Sequence, residues 1–191
     1  GKQHEWELNS GGGGIFTAGV GGSMTGRAVD LLVIEDPHKG MAEADSEAER
    51  KNVWNWWTST ALTRLAPGAP VLLIQTRWHT DDLAGKLLSP DADDDVSGGY
   101  DWEYLNIPAK STGLDDPLGR PEGEYLESAR RRTVEDWMRR EAATPRRDWD
   151  ALYQGAPEGA KGKLFPRDGW KTWEGMPPVD ATSLYFQSWD M

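Results

Sequence analysis

The chain has 191 residues, 37% of them hydrophobic and 28% charged, with a net charge of -11. That is enough apolar material for a core, and the acidity excludes a nucleic-acid binder that is basic over its whole surface. The absence of cysteine excludes a disulfide scaffold, a thiolate nucleophile, an Fe–S cluster and a cysteine zinc site, and a His-built metal site would need nearly all of His4, His38 and His79.

Residues 1–14 end in four glycines and read as a loop. Ile15–Val20 fits a short strand, and the glycines from Gly19 to Gly26 make an irregular turn after it. Val29–Ile34 is a strand whose apolar run Leu31–Ile34 predicts burial on both faces, as in a parallel sheet. It ends in Glu35-Asp36-Pro37. Residues 42–65 carry a helical stripe through Val53, Trp56, Trp57, Leu62 and Leu65, with Ser46 and Glu49 spaced as a capping box and Pro67-Gly68 as the stop. Val71–Ile74 is a second buried strand, ending in Gln75-Thr76-Arg77, and Thr80 or Asp81 caps a helix running through Leu88.

Residues 89–127 hold eleven Asp or Glu against Lys110 and Arg120, with one expected strand, Trp102–Ile107. Two helices follow, near 133–143 and 146–153, and over residues 130–148 seven arginines face four acids. Residues 155–180 are a Gly/Pro-rich linker, and Ser183–Ser188 reads as a strand ending in Trp189-Asp190. Strand, helix, strand, helix is the rhythm of an α/β parallel sheet, in which chemistry gathers at the carboxyl ends of strands. Those ends are Glu35-Asp36 and Gln75-Thr76-Arg77. Adjacent acids there suit phosphate hydrolysis, one holding Mg²⁺ through water and the other activating the attacking water. Polar residues after the second strand suit contact with a γ-phosphate. Asp190 has the form of one ligand of a two-metal nuclease. Each feature also has a plain reading, as a solvated strand terminus, a polar turn or a surface acid. No Gly-x4-Gly-Lys-Ser/Thr occurs in the chain.

In order, these pieces resemble the large terminase subunits of tailed bacteriophages. The segments are Gly19–Arg27, Asp30-Leu-Leu-Val-Ile-Glu-Asp-Pro-His-Lys39, Arg50–Trp57, Leu62–Gly68 and Val71–Leu83. Asn106-Ile-Pro108, Asp116–Arg120, Trp149-x-x-x-Tyr-Gln-Gly155 and Gln187–Asp190 continue the likeness. The resemblance implies the C-terminal part of a P-loop, ASCE-type ATPase sheet over residues 1–107. An acidic loop and basic helical linker would follow over 108–165, and a linker with the first strand of an RNase H-like nuclease over 166–191. It implies ATP and Mg²⁺ as cofactors, with Glu35 at the Walker B metal position, Asp36 as the catalytic carboxylate, and Gln75, Thr76 and Arg77 in the motif that couples hydrolysis to movement. Asp190 falls on the first nuclease metal ligand. The expected partners are double-stranded viral DNA, a portal protein and a small terminase subunit, with a ring of copies on the portal in the bacterial cytoplasm and no membrane contact. Glu35 departs from the more usual Asp, which leaves the roles of Glu35 and Asp36 exchangeable. The absent Walker A half and the start at Gly1 suggest a piece of a longer protein, inactive alone. Two other readings stand beside this one: a Trp-rich, non-catalytic glycan-binding module, which calls for aromatics on an open face, and an inactive prophage remnant.

Overall fold

The computed structural model describes residues 5–8, 13–22, 24, 26, 28–89, 101–113, 115–127 and 131–157. All lie in the first of two units, residues 1–160; the second is 161–191. The linker and strand expected beyond residue 157, and Asp190 with them, fall outside the described residues.

The architecture is mixed α/β. Strands β1 (Glu5–Glu7) and β2 (Gly14–Phe16) form an antiparallel hairpin, so part of the expected N-terminal loop is paired and the strand expected to reach Val20 ends at Phe16. Strands β3 (Leu32–Glu35) and β4 (Val71–Ile74) pair in parallel, with Leu32 opposite Val71 and Glu35 opposite Ile74. Between them run α1 (Met41–Asp45) and α2 (Glu47–Trp56). The single helix expected over 42–65 breaks at Ser46, whose hydroxyl accepts from the Glu49 amide at 3.4 Å and caps α2. Its far end loosens into a π turn over Trp57–Ala61 and a 3₁₀ turn over Leu62–Arg64. The Thr58 and Ser59 hydroxyls donate back to the carbonyls of Trp54 and Asn55, a bonding pattern that bends helices.

Leu32 and Ile34 turn inward against Val53, Trp57, Ala61, Leu83 and Leu87, and the Trp57 ring is 0% exposed. The predicted burial on both sheet faces is not observed, because Val33, Leu72 and Ile74 on the other face are about half exposed. Helices cover one side only, so a run of apolar residues that reads as doubly buried is singly buried here. Trp102 packs on Trp57, with ring centroids 5.9 Å apart, but residues 101–107 join no sheet among the described residues, contrary to the strand expected there.

A second cluster gathers Ala109, Trp137 and Trp149 with Tyr125 and Tyr153. Helices α4 (Val134–Ala143) and α5 (Arg146–Leu152) support it after the short α3 (Leu83–Leu87), and α4 opens with a complete capping box between Thr133 and Asp136. The Gln154 side chain pairs with both the amide and the carbonyl of Lys110, at 3.0 and 2.9 Å. Asn106 donates to the Gln154 carbonyl at 2.9 Å. Asp116 and Arg120 form a buried ion pair, and Arg120 also donates to the Pro108 carbonyl at 2.7 Å. This pair holds the Asp116 carboxyl at about 2, with backbone amides of Leu118 and Arg120 adding to the effect. The Asn106, Asp116–Arg120 and Trp149–Gly155 motifs therefore build one pinned loop. Among the described residues, no helix is long and apolar enough to cross a membrane.

The pin yields a paired test. Gly119 and Gly155 both have positive φ, but a Cβ on Gly119 meets open space, while one on Gly155 would lie 2.2 Å from the Asn106 side-chain oxygen. Gly155→Ala should be less stable than Gly119→Ala by roughly 1–3 kcal/mol, the range for overpacking, as read by urea denaturation.

Candidate phosphate-chemistry site at the sheet edge

Parallel pairing brings the ends of β3 and β4 to one edge. Glu35 is the last residue of β3 and is exposed. Asp36 continues the ladder, its amide donating to the Ile74 carbonyl at 2.9 Å. Its side chain then crosses to the next strand end, where Oδ1 accepts from the Thr76 amide at 2.9 Å. Thus two of the residues singled out in the sequence, 40 positions apart, are joined by a hydrogen bond.

Asp36 has φ 38°, in the left-handed region. Asp tolerates that region better than most residues, yet a position before proline favours extended backbone. Such conformations cost of order 1–3 kcal/mol and gather at working sites. The second oxygen of Asp36 makes no hydrogen bond among the described residues. The Gln75 carboxamide is unusual too, since both its nitrogen and its oxygen are shielded from solvent without a hydrogen-bond partner. Buried amide atoms left unbonded are costly, and neither Gln75 atom finds a partner among the described residues.

Arg77 behaves differently. Its Nε donates to both oxygens of Asp82 at 3.0 Å. Asp82 is 1% exposed and also accepts from the Gly85 amide, capping α3. The helix cap is Asp82 rather than Thr80 or Asp81, and Arg77 is occupied in fixing it. The sequence signal for this was an aspartate three residues before Gly85, one position later than expected. Two further residues went unrecognised in the sequence. His38 is 4% exposed, and its Nε2 is unpartnered. His79 is buried, and its Nδ1 accepts from the Asp81 amide at 2.9 Å. That nitrogen therefore carries no proton, and its 4.0 Å approach to the Asp81 carboxylate is not an ion pair.

Glu35, Asp36 and His38 border a groove of about 1580 Å³ between β3 and the β1–β2 hairpin. Two adjacent carboxylates suit a hydrated divalent cation shared with phosphate oxygens, since Mg²⁺ keeps several waters. A closed protein cage is absent, because no group of three or more His, Asp or Glu among the described residues could hold a metal. The arginine-rich stretch is largely paired. Arg139 meets Asp136, Arg146 meets Asp150, and Arg147 forms a fork on Asp45. Arg132 and Arg140 lie over the rings of Trp137 and Tyr153. No family model matches the chain, and no curated protein matches it.

Burial holds His38 and His79 below the ordinary imidazole value of 6.5; nearby Asp82 opposes this at His38, and Arg50 reinforces it at His79. A base with a lowered folded pKa takes up protons more readily when unfolded. Its stabilisation is complete above the unfolded value and is lost as pH falls from there through the folded one. Thermal midpoints should therefore drop between about pH 7.5 and about pH 5.5. His79→Gln, which keeps an acceptor for the Asp81 amide, should flatten that slope.

Proposed function

We propose that this chain is the central portion of a viral DNA-packaging motor of the large-terminase type, containing the hydrolytic acids of its ATPase. The observation that carries the reading is the Asp36–Thr76 hydrogen bond. It ties the candidate catalytic carboxylate to the segment after β4, so a shift of Asp36 during turnover changes the anchoring of that segment. The likeness of the ordered sequence motifs supports the same reading. In this assignment Glu35 would hold Mg²⁺, and Asp36, with Oδ1 fixed by Thr76, would use its second oxygen to orient and deprotonate the attacking water. Bound ATP would supply the phosphoryl group, and Mg²⁺ would neutralise its charge. Gln75 offers its unbonded amide to a phosphate oxygen or to the water. Arg77 is a positioning residue, since its guanidinium is committed to Asp82.

The assignment places DNA, the portal and the small subunit outside the groove, whose rim is acidic. The arginine stretch is the candidate DNA surface, although its ion pairs reduce the positive charge available. The glycan-module reading calls for open aromatics. Trp57, Trp137 and Trp149 are instead buried, and Trp6 is the one tryptophan among the described residues with most of its surface exposed.

Phosphate cleavage also needs a cradle for the β- and γ-phosphates, and the chain carries no Walker A sequence. The isolated chain with Mg²⁺ and ATP should release no phosphate above background. In a protein that joins this chain to a Walker A segment and a complete nuclease, Asp36→Asn should abolish ATP turnover and leave DNA cutting, and Asp190→Asn should do the reverse. Turnover by the isolated chain that Asp36→Asn removes would overturn the assignment. Charge reversal at Arg131, Arg139 and Arg146 should weaken DNA-stimulated turnover in that longer protein, and by less as salt rises, because salt weakens the arginine–phosphate attraction that the reversal removes.

A further inference from the structure

The two hydrophobic clusters of the described residues share no side chain. Arg147 lies in α5, two residues before Trp149 of the second cluster, and Asp45 ends α1, which leads into α2 and the first. The two terminal nitrogens of Arg147 donate to the two carboxylate oxygens of Asp45, Nη1 at 2.9 Å. Each side chain keeps about a third of its surface in solvent, 35% for Arg147 and 31% for Asp45. Ion pairs so exposed add little to stability, and parting this one opens neither apolar cluster. The fork is therefore suited to exchange of partners.

It also leaves the arginine incompletely satisfied. The Arg147 Nε is shielded from solvent and has no hydrogen-bond partner. A carboxylate fills the two terminal nitrogens with its two oxygens, whereas a phosphate offers more acceptors to the same planar donor set. Asp45 does not become an isolated charge when Arg147 leaves. Arg50, which donates to the neighbouring Ala44 carbonyl, also favours the ionised form of Asp45.

We infer that Asp45 is a resident stand-in for a backbone phosphate of duplex DNA. The phosphate takes the Arg147 fork, Asp45 is released toward Arg50, and α1, which begins at Met41 just beyond Asp36, changes its anchorage. DNA occupancy and the candidate hydrolytic acid are thereby joined through one carboxylate. With a net charge of -11 the chain gains nothing from bulk attraction to DNA, so contact depends on local cations such as this one. The choice of DNA rests on the motor reading, but the test measures binding and no turnover. ATP turnover that survives Asp36→Asn in the longer protein would sink the motor reading and leave the exchange standing.

The test uses the whole chain and a short fluorescent DNA duplex at low salt, with binding followed by anisotropy and the Ala44 and Asp45 amides by NMR. Asp45→Asn should tighten binding about threefold, the size expected when an exposed ion pair no longer competes. Asp148→Asn makes the same change of charge on α5 outside the fork and should give less. Arg147→Gln should weaken binding and make Asp45→Asn silent when the two are combined. The duplex should shift the Ala44 and Asp45 amide signals, and ATP at equal phosphate concentration should leave them in place. Should Asp45→Asn misfold, the amide shifts of the unaltered chain decide. A gain in Asp45→Asn no larger than in Asp148→Asn, a gain that survives Arg147→Gln, amide signals that the duplex leaves unmoved, an equal response to ATP, or no binding at all would each overturn the inference.

Discussion

Parallel pairing of Leu32–Glu35 with Val71–Ile74 is the constraint from which the rest follows. Antiparallel strands would send Glu35-Asp36 and Gln75-Thr76 to opposite ends of the sheet. Parallel strands deliver both to one edge, and the register sets Glu35 beside Ile74 so that Asp36 reaches the Thr76 amide. A slip by one residue would turn Leu32 and Ile34 out of the core and separate Asp36 from Thr76 at once. Packing of two aliphatic side chains and placement of a carboxylate are thus one requirement. The left-handed backbone at Asp36 lets the chain turn away while its side chain stays behind as a bridge.

Behind that edge, buried polar groups fix the loop after β4. Asp82 accepts from Arg77 and from the first turn of α3. A buried carboxylate of this kind is stable only with its partners, and removing one leaves the other as an uncompensated charge. Asp45, at the end of α1, is bound by Arg147 from α5, 102 residues away. The Arg147 guanidinium holds the Asp45 carboxyl below its ordinary range. The Trp137–Trp149 cluster is therefore linked to the helix that leaves the candidate site, through a fork that neither hydrophobic cluster supplies.

The parallel strands were legible because each is an uninterrupted apolar run followed at once by polar residues. The two late helices were legible because their signals lie within a few residues of one another. The juxtaposition of Glu35-Asp36 with Gln75-Thr76 could be anticipated from strand order, but the bond between Asp36 and Thr76 could not, since it needs the register. What stayed hidden depends on three-dimensional competition. Thr58 and Ser59 take helix carbonyls and loosen α2 into a π turn, a choice that an apolar stripe does not encode. The residues Asp81 and Asp82 offer equal capping chemistry, and the pull of Arg77 selects the second. Trp102–Ile107 has strand composition, yet a strand requires a neighbouring edge, and none of the described edges receives it. The pairing of Arg147 with Asp45 leaves no local trace at all.

The open side of β3 joins these observations. Its face presents Val33 with Leu72 and Ile74 of β4, apolar residues that favour a covering layer, while its edge is bordered by carboxylates. Those carboxylates include Glu35 and Asp36, so a cation drawn to the groove by its rim would arrive beside the two acids to which the proposed phosphate chemistry is assigned.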